Sequence, residues 1–156
     1  MDAARDENAS EKVVMLGFSA GGRQYLVDGR DVIDVHQTTV IEPIPIAKPW
    51  AIGAANIQGS VHTITDFAVL MGGDRIKKGK FLTISPHIME GAAFLIDGTS
   101  GLFDPKDVGE LSLAREAGMP EWIAGFYQMG QRYFLVDAKK LASDQRFSKL
   151  QNGESQ

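Results

Sequence analysis

The chain has 156 residues, 44% of them hydrophobic and 23% charged, with 17 glycines, no cysteine and a formal net charge of −4. The absence of thiols excludes a disulfide framework, a thiolate zinc site and a cysteine nucleophile, and the acidic balance argues against a surface built on phosphate contacts. No apolar run approaches the roughly 18 residues that a membrane-spanning helix needs, and the opening MDAARDENASEK has no apolar centre of the secretory kind. A cytoplasmic protein without membrane insertion is expected.

Residues 1–12 and 151–156 are polar and are expected to be disordered tails around a single domain spanning 13–150. From Val13 onward the chain alternates short apolar runs with glycine-containing breaks. VVMLGF (13–18), RQYLV (23–27), DVIDV (31–35) and the stretch 50–57 come first, then VHTITDF (61–67) and KFLTIS (80–85). AAFLID (92–97), WIAGFYQ (122–128) and RYFLVD (132–137) complete the set. Runs this short and this rich in β-branched and aromatic residues predict strands. Within 61–67, Val61, Thr63, Thr65 and Phe67 alternate with His62, Ile64 and Asp66, which predicts a strand with two unlike faces.

Helix is expected in two places. FAVLM (67–71) is stopped by Gly72-Gly73, and AKKLASDQRFSKL (138–150) sets Leu141, Phe147 and Leu150 near one face. Pro43, Pro45 and Pro49 mark a connector unsuited to a central strand. The stretch 104–121 reads as a long loop with room for a helical turn. Arg75, Lys77, Lys78 and Lys80, set among glycines, read as a solvated turn.

One internal echo stands out. GFSAGGRQYLVD (17–28) lies over GFYQMGQRYFLVD (125–137), with Gly17, Phe18, Gly22 and Tyr25 falling on Gly125, Phe126, Gly130 and Tyr133. Both segments read as strand, glycine turn, strand. A matching hairpin near each end suggests two similar modules and an all-β protein of two small barrels.

Chemistry is hard to assemble from these residues. His36, His62 and His87 stand in separate segments without metal-ligand spacing, and Glu90 after His87 does not complete a site. There is no Gly-x-Ser-x-Gly elbow and no phosphate-cradling glycine loop. Asp28, Asp66, Asp97 and Asp137 each close a strand, where aspartate most often bonds nearby backbone amides. Neither an enzyme, a metal nor a cofactor is indicated.

PIPIAKPWAIGAANIQGSVHTITDFAVLMG (43–72) resembles the central signature of the CheW-like chemotaxis adaptor family. Pro45, Pro49, Gly53, Asn56, Ile57, Gly59, Val61, Ile64 and Asp66 stand where that signature places such residues. The opening 18–35, the element 91–102 and the closing 122–141 resemble the family in the same order, so the likeness spans about 13–150. Gln58 replaces the usual arginine and Thr63 the usual proline. The chain is similar to the divergent PilI-type adaptors of type IV pilus (twitching) systems.

The resemblance implies two five-stranded, SH3-like barrels and a non-enzymatic scaffold. Its partners would be the regulatory domain of a CheA-like histidine kinase and the cytoplasmic tip of methyl-accepting chemoreceptors. The receptor face would hold Asp34, Val35, Asn56, Ile57 and Gln58, with Val35 and Ile57 as apolar anchors. Ile57 and Val35 as core residues, and Asn56 as a turn residue, are the competing assignment. A β-barrel binding nucleic acid or a small ligand is the rival function. Against it, Phe18, Tyr25, Tyr133 and Phe134 read as core packing rather than a stacking platform.

Overall fold

The computed structural model describes residues 13–45 and 48–144. In chain order its strands are β1 (Met15–Ala20), β2 (Arg23–Asp28), β3 (Val32–Gln37), β4 (Ala51–Ile57) and β5 (Ser60–Asp66). After helix α1 (Phe67–Leu70) come β6 (Lys80–Ile84), β7 (Ala92–Ile96), β8 (Gly98–Phe103), β9 (Ile123–Met129), β10 (Gln131–Val136) and helix α2 (Ala138–Ser143). The all-β expectation holds. Strand β8 was missed because GTSGLF is no apolar run: its four central residues are exposed and nothing requires them to be hydrophobic. The long loop carries its helical turn at Pro105–Asp107. Phe147 and Leu150, expected on the terminal helix, and the tails 1–12 and 151–156 lie outside the described residues.

The strands form two five-stranded sheets, β8-β1-β2-β10-β9 (the first barrel) and β3-β6-β7-β5-β4 (the second). Each is drawn round by the chain that leaves its outermost strand. Beyond β3, Glu42 exchanges backbone hydrogen bonds of 2.8 Å with Ala54 of β4; beyond β8, Ser112 does the same at 2.9 Å with Phe126 of β9. Both closures need a glycine. A Cβ on Gly53 would lie 2.2 Å from the Glu42 carbonyl oxygen, and one on Gly125 would lie 2.0 Å from that of Ser112. Their φ values of 147° and 153° are also ones that side chains disfavour.

The two barrels correspond strand by strand, with one crossing. The second is built from consecutive strands β3 to β7. The first takes β8, β9 and β10 from the C-terminal part and borrows β1-β2 from the N-terminus, β2 lying parallel to β10 just as β7 lies parallel to β5. This corrects the hairpin echo. Two modules exist, but segments 17–28 and 125–137 are neighbours in one sheet, not counterparts in two. The counterpart of β9-β10 is β4-β5, and its true echo is Trp50-x-x-Gly53 with Trp122-x-x-Gly125, then Gly59 and Gly130 seven residues ahead of Asp66 and Asp137. The amide of Asp66 donates to the Trp50 carbonyl at 2.7 Å, and that of Asp137 to the Trp122 carbonyl at 2.8 Å. Each aspartate then caps the helix it precedes, accepting from Val69 N at 3.1 Å and from Lys140 N at 3.0 Å.

A small cluster around Met15, Leu26 and Val108 fills the first barrel, and one continuous core occupies the second barrel and the seam between the two. Phe67 sits at that seam. Its ring makes edge-to-face contacts with Phe18 and Tyr25 of the first barrel at 5.2 and 4.9 Å, and with Phe94 of the second at 5.7 Å. The strand leading to it loses the expected two-faced pattern. Val61 is exposed and His62 and Thr63 half-buried, but Ile64, Thr65, Asp66 and Phe67 are all buried, because the end of β5 lies between its own barrel and the other. The aromatic set Phe18, Tyr25 and Phe134 is buried as expected, with Tyr133 half-buried against the smaller cluster.

Truncating the seam ring removes contacts to both barrels at once. Phe67→Ala is expected to cost about 3–5 kcal/mol of unfolding free energy, read from the midpoint of urea unfolding; a loss under about 1 kcal/mol would show that the barrels do not depend on this ring.

Candidate functional site

Asn56, Ile57 and Gln58 run into the tip of the β4-β5 hairpin. Ile57 pairs with Ser60, leaving Gln58 and Gly59 as a two-residue turn with φ values of 50° and 87°. Positive φ at both positions is the type I′ geometry, which suits the twist of the strands but favours Asn-Gly over Gln-Gly. Asn56 is exposed and braces the turn, its Oδ1 accepting from Gly59 N at 2.9 Å. Gln58 is exposed with nothing covering it.

Ile57 points the other way. It is 5% exposed and belongs to the main core, so the anchor role expected of it is corrected: strand alternation turns it inward while Asn56 and Gln58 face out. Asp34 and Val35 lie on β3, the opposite outer strand of the same sheet. Asp34 is exposed, and its carboxylate accepts from Val35 N at 2.8 Å. Val35 is half-buried against the core. The five residues thus share a barrel, but only Asn56 and Gln58 share a surface at the hairpin.

Beside that hairpin lies a groove of about 420 Å³ in which Thr39, Val40 and Glu42 face Ala54, Asn56 and Val61. Thr39 Oγ1 donates to the Asn56 carbonyl at 3.1 Å and holds the two walls together. Val40 and Val61 are 74% and 71% exposed. Sequence reading missed both as surface anchors, since an apolar residue in a connector or strand does not announce its own exposure. The one available signal was the pair Val40-Ile41 standing between threonines and a proline-rich connector, of which only Ile41 packs against the core.

The strand-closing aspartates do bond backbone amides: Asp28 accepts from Arg30 N at 2.9 Å, Asp97 from Gly21 N at 2.8 Å, and Asp66 from Ile76 N at 2.8 Å in addition to its cap. Among the described residues no group of three or more His, Cys, Asp or Glu side chains is placed to hold a metal ion. A second hollow, of about 570 Å³, is lined in part by Asp28, Arg30, Asp31 and Lys139. Burial pushes the Asp31 carboxyl above the usual carboxylate range, and the neighbouring Asp28 charge adds to this. Burial acts on Asp28 in the same sense, but the side-chain and backbone N–H groups of Arg30, with the charges of Arg30 and Lys139, together hold it below that range. A further groove, of about 770 Å³, runs between the α1 and α2 ends past Met71, Met119 and Trp122.

Two glycine-closed β-barrels joined by a buried aromatic seam, with shallow open grooves at their surface, define a small two-barrel β-protein. The chain belongs to the CheW-like family: the model of the CheW-like domain matches residues 14–146. It is 24% identical over 136 residues to Protein PilI of Pseudomonas aeruginosa, covering 85% of this chain and 76% of that one. Its fold matches the crystal structure of the scaffolding protein TtCheW from Thermoanaerobacter tengcongensis with a TM-score of 0.65 at 16% identity, over 80% of this chain and 88% of the other. No helix among the described residues is long and apolar enough to cross a membrane.

Two consequences are measurable without a partner. Gln58→Asn relieves the left-handed strain of the turn and is expected to raise unfolding free energy by about 0.5–1 kcal/mol, seen as a higher Tm; a lower Tm would mean that Gln58 itself holds the turn. The second concerns pH. A carboxylate whose folded pKa is raised weakens the fold when ionised, an effect present above the folded pKa and gone below the unfolded one. Asp31→Asn should therefore raise Tm at pH 7, with the difference narrowing as pH falls toward 4. A difference independent of pH would rule out the ionisation as its cause.

Proposed function

We propose that this chain is a non-enzymatic cytoplasmic adaptor that couples methyl-accepting chemoreceptors to the regulatory domain of a CheA-type histidine kinase. The likeness to PilI favours a type IV pilus (twitching) pathway over a flagellar one. The observation that carries the reading, beside family membership, is the open face of the second barrel, where exposed Val40 and Val61 adjoin the polar Asn56, two residues before Gln58 at the hairpin turn. An apolar centre with a polar rim is how protein interfaces are organised. The receptor face comprises Asn56 and Gln58, with Asp34 and the edge of Val35 on the far strand. Val40 and Val61 supply the apolar contact that buried Ile57 does not.

Gln58 stands where the family usually has arginine, so a bidentate positive fork is replaced by a neutral amide that still donates and accepts. A modest interface of this kind binds on the order of micromolar, and many such contacts together build an array. Purified protein should bind its cognate kinase regulatory domain in that range. Gln58→Ala should weaken receptor pull-down by about 0.5–2 kcal/mol, the scale of neutral hydrogen bonds at an interface, with Tm nearly unchanged. Gln58→Arg should alter receptor choice or affinity more than stability. Receptor binding indifferent to both substitutions would move the receptor face elsewhere, and no kinase binding at about ten times the micromolar range would remove the kinase from the proposal.

A further inference from the structure

The correspondence between the barrels makes one a template for the other. Gly53 and Gly125 each precede the residue of the closing bridge, so register sets Ala54 against Phe126. Across the hairpins, Val61 opposite Asn56 corresponds to Arg132 opposite Gln128. In the first barrel the Arg132 guanidinium lies 4.4 Å from the centroid of the Phe126 ring, and Glu116 stands 4.0 Å from Arg132. In the second barrel a methyl and an isopropyl group occupy those places, and the volume they leave is the groove of about 420 Å³ with Glu42 among its lining residues. The carboxylate and the apolar walls are present; the ring and the guanidinium are not.

We propose that this groove seats an aromatic side chain with an adjoining basic residue, presented by a partner protein. This deepens the adaptor reading and rests on it for the partner being a protein. The ring would cover Val40, Ala54 and Val61, removing from water two valines that are now more than two-thirds exposed. The cation would lie over the ring, as Arg132 lies over Phe126, and within reach of the Glu42 carboxylate. An aromatic anchor in an apolar depression, rimmed by a charge pair, is the arrangement that dominates binding energy at protein interfaces.

The test titrates full-length ¹⁵N-labelled protein with N-acetyl-phenylalanyl-arginine amide, N-acetyl-phenylalanyl-glutamate amide and N-acetyl-alanyl-arginine amide. The Phe-Arg probe should shift the amides of Val40, Ala54, Ala55 and Val61, with about millimolar affinity and about threefold or more tighter than either control, as an exposed cation–π or ion-pair contribution implies. Ala54→Phe/Val61→Arg, which rebuilds the first barrel's pair inside the groove, should abolish those shifts without lowering Tm. It should also weaken binding of the kinase domain or of a receptor cytoplasmic fragment about tenfold, as loss of an aromatic anchor does. Should the double variant not fold, Glu42→Lys serves instead: it should weaken the Phe-Arg probe and leave N-acetyl-phenylalanine amide unaffected. Equal shifts from all three probes, or none, overturn the groove proposal. Partner binding that the double variant leaves intact overturns it while leaving the adaptor reading in place. Failure of the wild-type chain to bind either partner defeats the adaptor reading, and the probe titration then decides the groove by itself. Self-association lost in the double variant makes a second copy the occupant and overturns the proposal of a distinct partner.

Discussion

The whole molecule turns on where one ring is held. Phe67 is buried between the barrels, and its position is set by the residue before it. Asp66, itself fully buried, accepts from Val69 N to start α1 and from Ile76 N to bring the chain back. The carboxylate fixes the backbone, and the backbone aims the ring at Phe18, Tyr25, Phe94 and Trp122. Each aromatic contact of this kind adds about 0.5–1.5 kcal/mol beyond simple burial. At the matching place in the other barrel Asp137 caps α2 in the same way but is followed by Ala138, which reaches nothing comparable. The join is therefore one-sided: one barrel inserts a side chain and the other receives it.

Most of the fold was legible because its strands are buried, and burial selects the β-branched and aromatic residues that mark a strand. Where burial lapses the text goes silent, as at Thr99, Ser100 and Leu102 of β8. The hairpin echo misled for a related reason. Segments 17–28 and 125–137 share turn glycines and inward aromatics because adjacent hairpins in one sheet meet the same packing demands, whereas topological equivalence resides in Trp50, Gly53 and Asp66 and their partners Trp122, Gly125 and Asp137. At the site, Asn56 and Gln58 were readable as surface because polar side chains beside a turn glycine have no reason to be inside. Ile57 was not, because its inward aim depends on strand phase. Val40 and Val61 escaped notice because hydrophobicity alone does not say which side of the protein surface a valine is on.

Closure and recognition draw on the same few atoms. The backbone exchange between Glu42 and Ala54 that seals the second barrel also makes one end of the groove, and Gly53 permits both. In the first barrel the same exchange, through Ser112 and Phe126, leaves the equivalent place filled from within. A single geometry thus yields one capped end and one open end. At the closing bridge the difference lies in the side chains, a methyl group at Ala54 against a ring at Phe126.

The borrowing of β1-β2 by the C-terminal barrel bears on how the chain is made. As the polypeptide emerges during synthesis, β3 to β7 can assemble in order, but the N-terminal hairpin must wait for β10, more than a hundred residues later, before its parallel neighbour exists. Until then Phe18 and Tyr25 have only the half-formed seam to shelter them. Contacts so distant in sequence carry a loop-closure cost before they return any stabilisation, and they slow folding. Of the ten strands described, the two synthesised earliest are therefore among the last to find all their neighbours.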